Sequence, residues 1–196
     1  MSDVDALPVK PAATVVLLRD GSDGLEVWLQ QRAATLAFAA GMYAFPGGAV
    51  DAEDHDVVLP DSLLVHHATV WSDVAATDAA AHLAAAVRET YEECGVALDP
   101  LGVVPWARWI TPPGQSRRFD ARFYIAGCPA DQEPQALTGE VAHGKWFGLR
   151  RAVDTHAAGA LPMWPPTIST LQDLLPFDDV AAAMAAAPSD VEAVRG

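Results

Sequence analysis

Three carboxylates stand close together near the end of an alanine-rich segment, in the sequence Arg88-Glu89-Thr90-Tyr91-Glu92-Glu93-Cys94-Gly95. If this segment is a helix, Glu89, Glu92 and Glu93 share one face, because residues three and four positions apart are helical neighbours. Like charges repel each other there, and the helix dipole disfavours anions in the last turns. Mg²⁺ or Mn²⁺ would reverse that cost, because both ions prefer oxygen ligands. The alternative is a solvated face with an Arg88–Glu92 ion pair.

A second segment, Phe45-Pro46-Gly47-Gly48, closes a predicted strand into a glycine turn. Proline fixes the direction of entry, and the two glycines allow the backbone to approach a helix without a Cβ in the way. An isolated Pro-Gly-Gly sequence is usually only a turn. Beside an acidic helix, it predicts a close contact between the turn and the carboxylates.

These two segments resemble the Nudix hydrolase family, whose box reads G-x5-E-x7-R-E-U-x-E-E-x-G-U, with U an aliphatic residue. The second half of the box is present from Arg88 to Val96, with Thr90 where an aliphatic residue is usual. The first half is Gly48 followed by Asp54 in place of the expected glutamate. The box therefore spans residues 48–96 and carries an insertion around residues 56–81, which puts the role of Asp54 in doubt.

The resemblance implies a metal site and a set of catalytic residues. The ligands of Mg²⁺ or Mn²⁺ would be the carbonyl of Gly47 and the side chains of Glu89, Glu92 and Glu93. Arg88 would hold Glu89 or Glu92 in place rather than touch the substrate. Either Glu89 or Glu140 would accept a proton from the attacking water. Glu140 is included because many Nudix proteins have an additional acid at this position.

A further resemblance concerns the segment before the glycine turn. Leu29, Arg32, Leu36, Gly41 and the Phe45–Gly48 segment are similar to the motif L-L-T-x-R-S-x-x-L-x4-G-x3-F-P-G-G of the coenzyme A diphosphatase branch. Trp28, Gln30 and Ala33 depart from it. The interrupted box and the Arg117-Arg118 pair also look like this branch. The resemblance implies that Arg32, Arg117 and Arg118 bind the substrate.

The charge of the chain restricts its partners. Twelve basic and 26 acidic residues give a net charge of −14, which argues against nucleic acid as a partner. Four arginines nevertheless cluster in one stretch, namely Arg108, Arg117, Arg118 and Arg122. Arginine forks bind phosphate in a bidentate manner, and coenzyme A has a 3′-phosphate besides its diphosphate. The alternative is that these arginines pair with nearby acids such as Asp120.

The predicted function is a metal-dependent diphosphatase for a nucleoside diphosphate linked to another moiety. The preferred substrate is coenzyme A or an acyl-coenzyme A, which would yield 3′,5′-ADP and (acyl-)4′-phosphopantetheine. One alternative is a Nudix hydrolase for ADP-ribose, a dinucleotide or an oxidised nucleotide. The other is a non-catalytic Nudix-like binding module.

The elements that must position these residues follow from the sequence pattern. Strands are predicted at residues 14–18, 26–31, 101–110, 119–126 and 145–147, with a turn at residues 19–24 between the first two. The acidic helix should begin near Asp73 or Asp78 and end at Gly95. Further helices are predicted near residues 166–175 and 178–187, after which the chain should fray. Residues 1–196 would form a single domain of the Nudix-type α/β/α sandwich with a mixed β-sheet.

The insertion contains apolar residues that are expected to cover the pocket rim or a partner subunit, so a homodimer is possible. These residues are Leu63, Leu64, Val65, Val70 and Trp71. No apolar stretch is long enough to span a membrane, and the acidic start lacks the features of a secretory signal. With only two cysteines, the chain is expected in the cytoplasm.

Overall fold

The computed structural model describes residues 7–35, 39–71 and 74–195, in which a mixed β-sheet forms the centre. The sheet order is β3-β2-β1-β6-β5-β8, with β4 paired to β1 and β7 paired to β2. The strands are β1 (Val9–Gly21), β2 (Gly24–Arg32), β3 (Tyr43–Ala44), β4 (Gly47–Ala49), β5 (Val103–Ile110), β6 (Arg118–Gly127), β7 (Val141–Gly148) and β8 (Ala193–Arg195). The β1–β6 and β5–β8 pairs are parallel and the other pairs are antiparallel, so the predicted mixed sheet is confirmed.

Helices cover both faces of the sheet, which confirms the predicted α/β/α sandwich. The helices are α1 (Asp61–Val70), α2 (Ala76–Cys94), α3 (Leu149–Ala157), α4 (Pro165–Leu174) and α5 (Val180–Ala185). Side chains of β1 alternate between two cores, because successive residues of a strand point to opposite faces. Val15 and Leu17 pack in the core with α1 and α2. Val16 and Leu18 pack in the core with α3, α4 and α5.

The structure corrects two details at the strand ends. The predicted turn at residues 19–24 is mostly strand, because β1 continues to Gly21 and only Ser22 and Asp23 separate it from β2. Arg19 and Glu26 pair across this hairpin at 2.7 Å. The end of the chain, predicted to fray, forms β8 along β5. Leu36, which contributes to the upstream motif, lies outside the described residues.

The insertion belongs to the core rather than to the pocket rim, which corrects the prediction for its apolar residues. It forms α1 and the first turns of α2. Leu63, Val70 and Trp71 are buried in the core against Tyr124, on the sheet face that α2 covers. The helical spacing of these residues places them on the side of α1 that faces the sheet. Val65 is exposed to solvent.

In the part of the chain that the structure describes, no helix has both the length and the apolar character that a bilayer crossing requires.

Candidate active site

The last turns of α2 lie against the glycine turn, as the sequence predicts. In this arrangement a Cβ on Gly48 would collide with the carboxylate of Glu89, so a larger residue there would require the Glu89 side chain to move. A Cβ on Gly47 would lie 2.5 Å from the carbonyl oxygen of Ala13 on β1. Gly95, with a φ of 74°, ends the helix in the left-handed conformation. The carboxylates are therefore held at a fixed distance from the turn.

Glu93 is the most buried of the three helix carboxylates. Its Oε2 accepts hydrogen bonds from the backbone N–H of Gly47 at 3.1 Å and from Nε2 of Gln30 at 2.8 Å. Burial raises the pKa of Glu93 to about 7, although both hydrogen bonds lower it. The neighbouring charge of Glu89 contributes to this raised pKa. A bound cation would favour the ionised form of this carboxyl group.

Arg88 connects the first half of the box to the second. It binds Asp54 with both ends of the guanidinium group, at 3.0 Å from Nε and 2.8 Å from Nη2. Nη2 also donates to the carbonyl of Ala49 at 3.1 Å. Nη1 donates to Glu89 at 2.8 Å and to Glu92 at 3.4 Å. The hydrogen bonds to Asp54 are the largest cause of a raised pKa for Arg88, so this arginine stays charged.

Asp54, whose role the sequence left in doubt, has a defined place in the site. Its side chain is 3% exposed, and it accepts a hydrogen bond from the backbone N–H of Asp51 at 2.8 Å besides those from Arg88. Burial raises the pKa of Asp54, but the hydrogen bonds from Arg88 and Asp51 more than offset this effect and lower it. The 26-residue insertion follows Asp54 without displacing it from Arg88.

The helix carboxylates are suitable ligands for a metal ion, although their oxygen atoms do not converge on one position in the described structure. Among the residues that the structure describes, no three His, Cys, Asp or Glu side chains are arranged to hold a metal ion. Arg88 engages Glu89 and Glu92, while Glu93 faces Gly47. The donor set is nevertheless made of hard oxygen atoms, as Mg²⁺ and Mn²⁺ require. By the chemistry of their oxygen donors, the three helix carboxylates therefore fit such an ion, with Arg88 contacting Glu89 and Glu92 from the side.

An open cleft of about 1310 Å³ brings the predicted site residues together. Its lining includes every one of them: Arg32, Gly47, Arg88, Glu89, Glu92, Glu93, Arg117, Arg118 and Glu140. The backbone carbonyl of Glu140 accepts from the N–H of Ala33 at 2.7 Å. The carboxylate of Glu140 is 62% exposed and lies 3.9 Å from Nη2 of Arg32. Glu140 can therefore reach a substrate in the cleft.

The four clustered arginines divide into two pairs. Arg108 binds Asp120 at 2.8 and 2.6 Å, which is the pairing that the sequence left open as an alternative. Arg122 is buried, with its guanidinium carbon 5.2 Å from the ring centre of Trp71. Arg117 and Arg118, in contrast, line the cleft. Only the latter pair is placed to meet a substrate.

Several residues in the cleft or directly behind it could not be identified from the sequence. Gln30 was noted only as a departure from a motif, although the alternation of β2 puts it on the same face as Trp28. Lys10 lines the cleft beside Arg118, because the parallel register pairs Lys10 with Phe119. An apolar wall also went unnoticed, and its members are Met42, Tyr43, Phe45, Phe123, Met163, Trp164 and Pro165. These residues come from distant segments, so no local pattern connects them.

The sequence model of the NUDIX domain matches residues 61–167, more than half of the chain. The chain belongs to the Nudix family. A Nudix hydrolase from Alicyclobacillus acidocaldarius is 27% identical to this Nudix protein, with a TM-score of 0.77 over 92% of this chain and 97% of the other. A search of curated protein sequences found no match.

Two more distant structures share the fold of this Nudix protein. The NUDIX domain of Shewanella oneidensis NrtR, complexed with ADP ribose, is 15% identical, with a TM-score of 0.53 over 86% of this chain and 90% of the other. A C. elegans Ap4A hydrolase in a binary complex is 17% identical, with a TM-score of 0.55 over 86% and 96% of the two chains. Family and fold identify a hydrolase that acts on pyrophosphate bonds. Nudix hydrolases generally use divalent metal ions.

Proposed function

We propose that this Nudix hydrolase cleaves the diphosphate of coenzyme A or an acyl-coenzyme A, giving 3′,5′-ADP and (acyl-)4′-phosphopantetheine. The observation that carries the proposal is that Arg117 and Arg118 line the same cleft as Glu89, Glu92 and Glu93. The similarity of the segment before the glycine turn to the coenzyme A diphosphatase motif supports the same substrate.

Three basic residues of the cleft, Lys10, Arg117 and Arg118, lie at one end of the parallel β1–β6 pair. Arg118 pairs in register with Val9, and Lys10 follows on β1. The Arg118 guanidinium donates to the carbonyl of Thr111 at 3.2 Å, which anchors it at the start of β6, next to Arg117. In a chain with a net charge of −14, this group is suited to a phosphate that is separate from the scissile diphosphate. The 3′-phosphate of coenzyme A meets that description.

The part of the cleft lining at the start of α4 suits an uncharged group. The helix α4 begins with Pro165 and Pro166, which have no N–H to donate to an anion. The next two N–H groups, of Thr167 and Ile168, are used by the carbonyl of Trp164 at 3.0 and 3.2 Å. This helix end therefore offers little to the additional phosphates of a dinucleoside polyphosphate. Its apolar surroundings fit a pantetheine arm or an acyl group.

The chemistry assigned to the box residues follows from their positions. Glu89, Glu92 and Glu93, with the Gly47 carbonyl, would hold Mg²⁺ or Mn²⁺. When bound, the cation supplies neutralisation of the diphosphate charge and activation of water for in-line attack. Glu89 or Glu140 would accept the proton of the attacking water, a contribution of typically ~10²–10⁴-fold. Arg88 keeps Glu89 and Glu92 oriented on α2.

We also propose that the enzyme acts in a reducing cytoplasm, because Cys94 and Cys128 are both free thiols. A homodimer stays a prediction, which sedimentation or light scattering would test.

The test is a substrate panel of coenzyme A, dephospho-coenzyme A, ADP-ribose, diadenosine phosphates and an oxidised nucleotide, each with Mg²⁺ and with Mn²⁺. Chromatography of the products identifies the bond that is cleaved. We expect coenzyme A to be hydrolysed with the highest kcat/KM and to release 3′,5′-ADP. A preference for ADP-ribose, a dinucleotide or an oxidised nucleotide would overturn the proposed substrate and keep the pyrophosphatase activity.

A further inference from the structure

Gln30 of β2 is a buried amide that reaches the box helix from outside the box. Its Nε2 donates to Oε2 of Glu93 at 2.8 Å, across 63 positions of sequence. The N–H of Gly47 donates to the same oxygen at 3.1 Å. Both of these donors lie on Oε2, so Oε1 of Glu93 is the oxygen left for another partner.

The orientation of this amide is determined by Trp28. The indole Nε1–H lies 3.4 Å from Oε1 of Gln30, and an indole nitrogen can only donate. The carbonyl end of the amide must therefore face Trp28, and the NH₂ end must face Glu93. In this orientation, the amide of Gln30 can only donate a hydrogen bond to Glu93.

The indole of Trp28 is itself held in place. It is buried, and it packs edge-to-face against Trp146 with ring centres 5.7 Å apart. A Cβ on Gly144 of β7 would overlap the Trp28 ring, so this glycine makes room for it. The orientation of the amide thus follows from side chains packed on two neighbouring strands, β2 and β7.

We infer that Gln30 is a positioning residue, which holds Glu93 so that Oε1 faces the divalent cation. This inference rests on the proposed role of Glu93 as a metal ligand. The two donors already hold Oε2 before the metal binds, so metal binding does not have to order the carboxylate. Residues that orient a metal ligand in this way typically change metal affinity or activity by ~10–100-fold when replaced.

The experiment measures Mn²⁺ affinity directly, from the electron paramagnetic resonance signal of free Mn²⁺, and kcat as a function of Mn²⁺ concentration. Gln30→Leu removes the donor at similar volume. We expect a rise of ~10–100-fold in the Mn²⁺ dissociation constant, with kcat recovering at saturating Mn²⁺. Such recovery is not expected from a variant that is merely misfolded.

Two further variants make the test specific. Trp28→Phe keeps an aromatic ring and removes the indole donor, so the amide can turn over and Mn²⁺ affinity should fall by a smaller factor. Gln132→Leu is the control, because its amide bonds the backbone of Ala97 and not a helix carboxylate. Its Mn²⁺ affinity should equal that of the wild type.

The outcomes separate this inference from the proposed function. Glu93→Gln that binds Mn²⁺ as tightly as the wild type would overturn the metal site itself. Glu93→Gln that loses Mn²⁺, together with an unchanged affinity in Gln30→Leu, would overturn only the role of Gln30. Should Gln30→Leu fail to fold, Trp28→Phe decides the matter, and an unchanged Mn²⁺ affinity in it would overturn the inference.

Discussion

Replacing Asp54 with asparagine tests whether the interrupted box still works as one unit. The substitution keeps the shape of the side chain and removes its charge. Asp54 accepts three hydrogen bonds, two from Arg88 and one from the N–H of Asp51. In Asp54→Asn the amide oxygen can still accept, but the NH₂ group faces a donor, so at least one bond to Arg88 is lost.

The expected magnitude follows from these contacts. Losing one partner of a buried ion pair costs about 3–5 kcal/mol. Here the cost is lower, because the Arg88 side chain is 25% exposed and keeps Glu89 and Ala49 as partners. We expect a loss of about 2 kcal/mol in the free energy of unfolding, at the level of one charged hydrogen bond. For a chain of this length, that lowers Tm by about 4–8 °C.

The assay is thermal unfolding followed by circular dichroism at neutral and at acid pH. The pKa of Asp54 in the folded protein lies below its ordinary value, so its stabilisation is present above the unfolded pKa and is lost as pH falls through the folded pKa. The difference between wild type and Asp54→Asn should therefore shrink below about pH 4. Asp56→Asn removes the same charge from an exposed position two residues further along the chain and should change Tm little.

Two results would refute this reasoning. One is a Tm of Asp54→Asn equal to that of the wild type at neutral pH. The other is a Tm difference that stays the same at neutral and at acid pH. Either result would mean that Arg88 does not depend on Asp54, and that the first half of the box contributes only Gly47 and Gly48.

Three other predictions concern the helix carboxylates, the arginine pair and the insertion. Glu93→Gln should lose most turnover. Because the pKa of Glu93 is raised from 4.5 to about 7 in the folded protein, the metal-free wild type should lose stability as pH rises through this range. Glu93→Gln should not show this loss when unfolding is measured at several pH values. Replacing Arg117 and Arg118 with alanine should raise KM far more for coenzyme A than for dephospho-coenzyme A, whereas equal losses would exclude contact with the 3′-phosphate. Alanines at the exposed pair Arg150 and Arg151 of α3 are its control. Burial lowers the pKa of His67 to about 4, so wild-type stability should fall as pH drops below about 6.5, and His67→Phe should flatten this slope in the same measurement.

The acidic helix could be predicted because its cause is local, whereas its contact with the glycine turn followed from the resemblance of the two segments to the Nudix box. The spacing of Glu89, Glu92 and Glu93 fixes a shared helix face, and Gly95 fixes the helix end. Strand positions also followed from runs of apolar and β-branched residues. The turn at residues 19–24 was placed too early, because Arg19 and Asp20 resemble turn residues but pair in the β1–β2 ladder.

Other features depend on contacts that no local pattern contains. The sequence indicated that the apolar residues of α1 would be covered, but it did not identify their partner. Tyr124, against which they pack, is on β6 and distant from them in the sequence. The helix α3, with the sequence LRRAVDTHA, has no capping side chain to mark its start. Gln30 and Glu93 meet only because β2 and α2 are brought together by the sheet. Tertiary packing, rather than propensity, decides such positions.

The parallel pairing of β1 with β6 has a consequence for the newly made chain. The register joins Val9 to Arg118, so about a hundred residues must be synthesised before β1 can meet its central partner. At typical rates of ~5–20 residues per second, this takes roughly 5–20 s. During that interval the apolar run Thr14-Val15-Val16-Leu17-Leu18 can pair with β2 but has an open edge on its other side. Chaperone dependence should therefore be greatest while the ribosome is still translating the segment before β6.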